Sequence, residues 1–65
     1  MTNLQKIRKE RGLTQAELAK RSGVSLKTIQ ALEVGRNNIN KAEVMKVLRI
    51  ADALECPVRN LMEAE

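Results

Sequence analysis

The stretch QAELAKRSGVSLKTIQALEV, Gln15 to Val34, decides how this chain folds. Thr14, just before it, is a good N-cap, and Glu17 three residues later completes a capping box. Leu18 and Ala19 then face inward, and the helix is expected to run to about Arg21. It stops before Gly23, which takes a left-handed conformation without a Cβ penalty. Ser25 is the next N-cap, and a second helix should reach Val34, with Gly35 ending it. Only Ser22, Gly23 and Val24 separate the two helices.

So tight a connection cannot lay the helices antiparallel. It sets them at a steep angle, the helix-turn-helix unit. Val24 can plug that angle, Ala19 is small enough for close approach, and Ile29 and Leu32 anchor the second helix. Upstream, Leu4 and Ile7 share a helical face, with Leu13 close behind, which predicts a helix over roughly 3–11 ended by Gly12. Downstream, NNIN, Asn37 to Asn40, reads as a loop, and Asn40 with Glu43 resembles another cap. From Lys41 to about Glu55, Val44, Val47, Leu48, Ala51 and Leu54 form one apolar stripe, with Met45 and Ile50 beside it. Pro57 fits the first turn of a last short helix, through about Met62, that carries Val58, Leu61 and Met62. Apolar and polar residues never alternate over a strand's length. The expectation is therefore all-α: five short helices in a single domain over residues 1–65.

The composition narrows the function classes. With 65 residues, 43% hydrophobic and 0% aromatic, one small core must be built from Leu, Ile, Val, Met and Ala. Such a domain is marginal alone, so oligomerisation is a plausible further support. The chain has one cysteine, Cys56, and no histidine, which leaves no disulfide, no zinc site and no acid–base pair for an enzyme. No apolar run approaches the ~18 residues of a membrane span, and the N-terminus lacks the apolar core of a signal peptide. A cytoplasmic protein with a reduced thiol is the expectation. Residues 1–41 carry nine Lys or Arg against three acids, and residues 42–65 carry three against five. A basic front suits a polyanion, and the acidic back is free for other work.

The same twenty residues resemble the motif of the phage repressor and Cro-type regulators, the XRE family. IRKERGLTQAELA, ALEVGR and ADALECPVRNLM also resemble that family's blocks, in the same order, so the likeness covers nearly the whole chain. It departs in places. The stretch from Glu33 to Leu54 is somewhat longer than in many members. Val34 stands where many have Asn, and Glu55 and Cys56 where many have Gly. The resemblance implies a lambda-repressor-like DNA-binding domain with its helix-turn-helix at helices two and three. It also implies a sequence-specific regulator of transcription, a repressor by expectation, acting on double-stranded DNA. No cofactor or small-molecule ligand is called for.

At about 100° per residue, Ile29 and Leu32 point one way while Lys27 and Val34 point the other, flanked by Gln30 and Ala31. Base edges in the major groove mix donors, acceptors and methyl groups, and so does this face. Lys27 can donate to guanine, Gln30 can pair with adenine, and Leu26 and Ala31 can touch thymine methyls. In the family the first residue of helix two holds a phosphate, which here is Gln15. Thr28, Arg36, Asn37 and Asn38 are further phosphate candidates. The family also pairs a helix-one arginine with the glutamate before the helix-three glycine, which implies an Arg8–Glu33 ion pair, with Arg8 also able to face a phosphate. A homodimer on a roughly palindromic operator would follow, with Val58, Leu61 and Met62 as its interface candidates. The competing reading is an antitoxin-like or bridging protein-interaction module on the same fold.

Overall fold

Side-chain caps open the first three helices, and the fourth begins without one. The computed structural model describes residues 1–64. Among the described residues four α-helices form: α1 (Asn3–Glu10), α2 (Gln15–Ser22), α3 (Leu26–Glu33) and α4 (Val44–Leu54). The Thr2 hydroxyl oxygen accepts from the Gln5 N–H at 3.2 Å and opens α1. Thr14 and Glu17 form the reciprocal capping box of α2, and Ser25 accepts from the Thr28 N–H to open α3. Gly23 closes α2 with φ of 72°, a left-handed turn that sends the chain straight into α3.

The all-helical expectation holds, but the helix count does not: four helices form rather than five. Val58–Asn60 is a single 3-10 turn. Pro57 before it is extended, with φ of −64° and ψ of 145°, and offers no side-chain cap. The fourth helix also starts later than expected. Ile39–Lys41 is a separate 3-10 turn, and Ala42 after it is extended, so α4 can begin only at Val44. Asn40 does not cap α4. Its side-chain amide donates to the Glu63 carbonyl at 2.8 Å and its carbonyl accepts from the Glu63 N–H at 2.9 Å. That pairing mimics a strand ladder and ties the loop to the end of the domain.

Packing follows the apolar stripes. α4 packs mainly on α2, α2 crosses α3, and α1 lies on α3. Leu4, Leu18, Ile29, Ile50, Leu54 and Leu61 are the large side chains sealed at the centre. Each contributes about 1.5–3 kcal/mol by leaving water, which is how a core without aromatics can hold. Leu61 is 0% exposed, so it closes this core and is unavailable as an interface residue. Val58 and Met62 are half-buried against the same core. Asn3 holds the segment after the last turn: its N–H donates to Glu63 Oε2 at 2.6 Å and its amide to the Met62 carbonyl at 2.7 Å. A carboxylate thus sits at the N-terminus of α1, where the helix dipole favours it.

Among the described residues, no helix is long and apolar enough to cross a membrane, and no cluster of acidic, Cys or His side chains could hold a metal ion.

Candidate nucleic-acid interface

Helix α3 is held from beneath and shows one arc to solvent. Ile29, Leu32 and Glu33 are buried at 0%, 3% and 3% exposure. Leu26, Lys27, Gln30 and Val34 are exposed on the opposite side, Leu26 at 41% and Val34 at 68%. The arc mixes a cation, an amide and two aliphatic groups. Among the described residues, neither the Lys27 nor the Gln30 side chain has a side-chain hydrogen-bond or ion-pair partner.

Ala31 does not belong to that arc. It is 8% exposed, against the expectation that it faces a thymine methyl. Beyond the helix, Gly35 takes a left-handed φ of 80°. The Asn37 N–H then donates to the Ala31 carbonyl at 3.2 Å. The exposed arc is therefore narrower than periodicity implies and is centred nearer Gln30.

The rim of this surface is basic and polar. A cleft of about 420 Å³ beside α3 is lined by Thr28, Arg36, Asn37, Asn38, Lys41 and Lys46, among others. It brings together four of the expected phosphate candidates, Thr28, Arg36, Asn37 and Asn38, and adds two lysines, Lys41 and Lys46, that were not among them. Their signal was weak: Lys41 lies in a segment expected to be helix, and Lys46 reads as an ordinary solvated helix charge. Glu43 lies 3.7 Å from Lys46, and both side chains are well exposed, so the pair is worth little and leaves Lys46 usable. Thr28 is partly committed. Its hydroxyl oxygen accepts from the Ser25 hydroxyl at 2.9 Å. The Asn38 side-chain oxygen Oδ1 accepts from the Asn40 N–H at 2.9 Å, a bond that does not use its side-chain nitrogen.

Arg8 and Glu33 form the ion pair, in a bidentate fork. Arg8 Nε donates to Glu33 Oε2 at 2.5 Å, and Nη2 donates to Oε1 at 3.0 Å. Arg8 Nη1 donates to the Leu13 carbonyl at 2.7 Å. All three nitrogens are thereby used, and Arg8 is only 8% exposed. Arg8 is thus held in an internal role, with one N–H on each terminal nitrogen outside these bonds. Gln15 is half-buried, and its Nε2 donates to Glu33 Oε1 at 2.9 Å. One carboxylate thus joins α1, α2 and α3. The Thr2 hydroxyl adds a bond to the Glu33 carbonyl at 3.1 Å.

Cys56 is half-buried. Burial pushes its thiol above the usual range, and nearby Arg11 offsets this only in part. A protonated thiol is a poor nucleophile.

A steep two-helix unit with one exposed, chemically mixed arc and a basic rim defines a helix-turn-helix protein. The Helix-turn-helix family profile matches residues 4–61, nearly the whole chain, and the chain belongs to that family. This is the family of the repressor and Cro-type resemblance read from Gln15 to Val34. The chain is also 60% identical over 35 residues to an uncharacterized HTH-type transcriptional regulator of Methanothermobacter thermautotrophicus. That match covers 54% of this chain and 51% of the relative, so it spans about half the length of each. No solved structure matches this chain.

Proposed function

We propose that this protein is a sequence-specific double-stranded DNA-binding regulator of transcription, acting as a repressor, that reads the major groove with α3. The observation that carries this reading is the exposed arc of Leu26, Lys27 and Gln30 on a helix otherwise locked into the core. Lys27 donates to guanine O6 and N7, Gln30 pairs with adenine, and Leu26 meets a thymine methyl. Thr28, Arg36 and Asn38, joined by Lys41 and Lys46, hold the flanking phosphates. Gln15 holds another phosphate at the start of α2, where the helix dipole favours an anion.

The protein acts as a homodimer on a roughly palindromic operator. Val44, Met45 and Leu48 are 71%, 59% and 40% exposed on one side of α4. Val44 and Leu48 also border a small apolar groove of about 140 Å³ with Val58 and Met62. The first turns of the same helix supply Lys46 to the basic cleft. A second copy seated on this apolar face would extend the basic rim along the duplex. The same face would also suit an unlike protein, as in a bridging module. The steep fall of affinity with salt that phosphate contacts impose separates the two readings.

The test is selection of bound duplexes from a random pool by the full chain, repeated with Lys27→Ala and Gln30→Ala. Wild type should enrich a roughly symmetric site. Each variant should relax one position in each half-site, at a cost of about 1–3 kcal/mol there. No enriched site would sink the regulator reading. An enriched site that both variants leave unchanged would sink the contact assignment.

A further inference from the structure

Glu33 is a buried carboxylate that faces two kinds of partner. Arg8 neutralises it through the bidentate fork, and Gln15, the first residue of α2, gives it one amide hydrogen at 2.9 Å. The arginine pair alone would account for the burial of the charge. The glutamine bond is additional, and its donor is the half-buried first residue of α2.

We propose that Glu33 positions Gln15 for a DNA phosphate, and so controls DNA affinity without touching DNA. The inference rests on the DNA-binding reading above. A carboxylate can only accept hydrogen bonds, so it dictates which way the Gln15 amide is turned: nitrogen toward Glu33, carbonyl away from it. The amide nitrogen has two hydrogens, and Glu33 takes one. The second stays at the same helix end as the first-turn backbone N–H groups of α2, which have no acceptor within the helix. Left alone, a glutamine samples many rotamers, and half of its amide orientations would turn a carbonyl dipole against a phosphate. Here the side chain is ordered on folding, so binding does not bear that loss. Arg8 completes the device. Without it, the Glu33 charge would sit beside Gln15 and repel the phosphate that Gln15 is meant to hold.

The experiment is a double-mutant cycle on affinity for the selected operator, using the full chain. Gln15→Met removes the amide and keeps the length. Glu33→Asp keeps the charge opposite Arg8 but draws the carboxylate back from Gln15. Gln15→Met should weaken binding about tenfold, the worth of one hydrogen bond to a charged group. Glu33→Asp should weaken it by a similar factor, and the double variant should be no worse than Gln15→Met alone. Multiplied losses, near a hundredfold, would show that Glu33 acts only on the fold and would overturn the proposal. The salt slope should not change in either variant, because no charge is lost. If wild type shows no salt-dependent binding to duplex DNA, the regulator reading fails, and this inference fails with it. Normal wild-type binding with an additive cycle overturns this inference alone. Should Glu33→Asp not fold, the Gln15 side-chain amide of the wild type is followed by NMR while operator is added. One proton protected from exchange in the free protein and the other shifting on titration supports the proposal. Two freely exchanging protons that ignore the DNA overturn it.

Discussion

Glu55 closes α4 with φ of 55°, a left-handed conformation that glycine adopts freely and a glutamate does not. The backbone there is well bonded: the Cys56 N–H reaches the Ala51 carbonyl at 3.0 Å, and Arg11 Nε donates to the Leu54 carbonyl at 2.7 Å. Those bonds hold the turn against its own preference. Replacing Glu55 with Gly keeps them and removes the Cβ clash, at some cost in unfolded-chain entropy. The net should be a stabilisation of about 0.5–1 kcal/mol. For a domain this small, thermal unfolding of Glu55→Gly should rise by several degrees. A fall would mean that the glutamate side chain contributes more than its backbone costs. The residue's identity gave no hint of this geometry. Glutamate is a common helix residue, and only the resemblance to chains with Gly in this loop pointed to a turn.

Among the elements, α2 has the most explicit start signal. The Thr14 hydroxyl accepts from the Glu17 N–H at 3.0 Å, and the Glu17 carboxylate accepts from the Thr14 N–H at 2.9 Å. Thr14→Ala should cost about 1 kcal/mol, read as a lower denaturant midpoint with an unchanged slope. The hydrogen bond from the Thr14 backbone, then that from its side chain, then the charge of Arg21 hold the Glu17 carboxyl below its usual range, with desolvation opposing them. A depressed folded-state pKa means this contribution is present above the ordinary glutamate pKa and lost as pH falls through the lowered value. Glu17→Gln should therefore show a shallower acid loss of melting temperature than wild type, and equal slopes would contradict this. Elements announced by local chemistry were legible: Thr14 with Glu17, Ser25, and the glycines at 12, 23 and 35 marked three helices within a residue or two. Elements decided by distant contacts were not. Asn40 reads as a cap from its neighbours, yet its amide is spent on Glu63. Ala31 reads as exposed from periodicity, yet it is 8% exposed in the folded chain. The Arg8–Glu33 pair was legible only through family resemblance, and the Gln15 bond to the same carboxylate was not legible at all. It depends on how three helices meet.

At the scale of the molecule, size and surface together bear on the proposed dimer. The Cα trace measures 28 × 20 × 20 Å. Two copies in side-chain contact, with helix axes about 9 Å apart at the interface, would have centres roughly 25–33 Å apart. Two reading helices must lie about 34 Å apart to enter successive major grooves on one face of the duplex. A face-to-face pair of domains this small comes close to that spacing with no linker, provided α3 lies slightly outboard of each centre. The apolar face of α4 is the surface available for such a contact. Val44 is the cleanest place to test it: it is 71% exposed, so the fold gains little from it. It is also the first residue of α4, where a glutamate is favoured by the helix dipole. Val44→Glu should leave the fold of the single domain intact while placing like charges across a two-fold contact, so its melting temperature should lose only the concentration-dependent part that dimerisation contributes. Sedimentation should then show a monomer where wild type shows a dimer at the same concentration. Affinity for a full symmetric site should fall to that for a half-site. If Val44→Glu binds the full site as tightly as wild type, the α4 face is not the contact between copies, and the two-helix spacing must be reached another way.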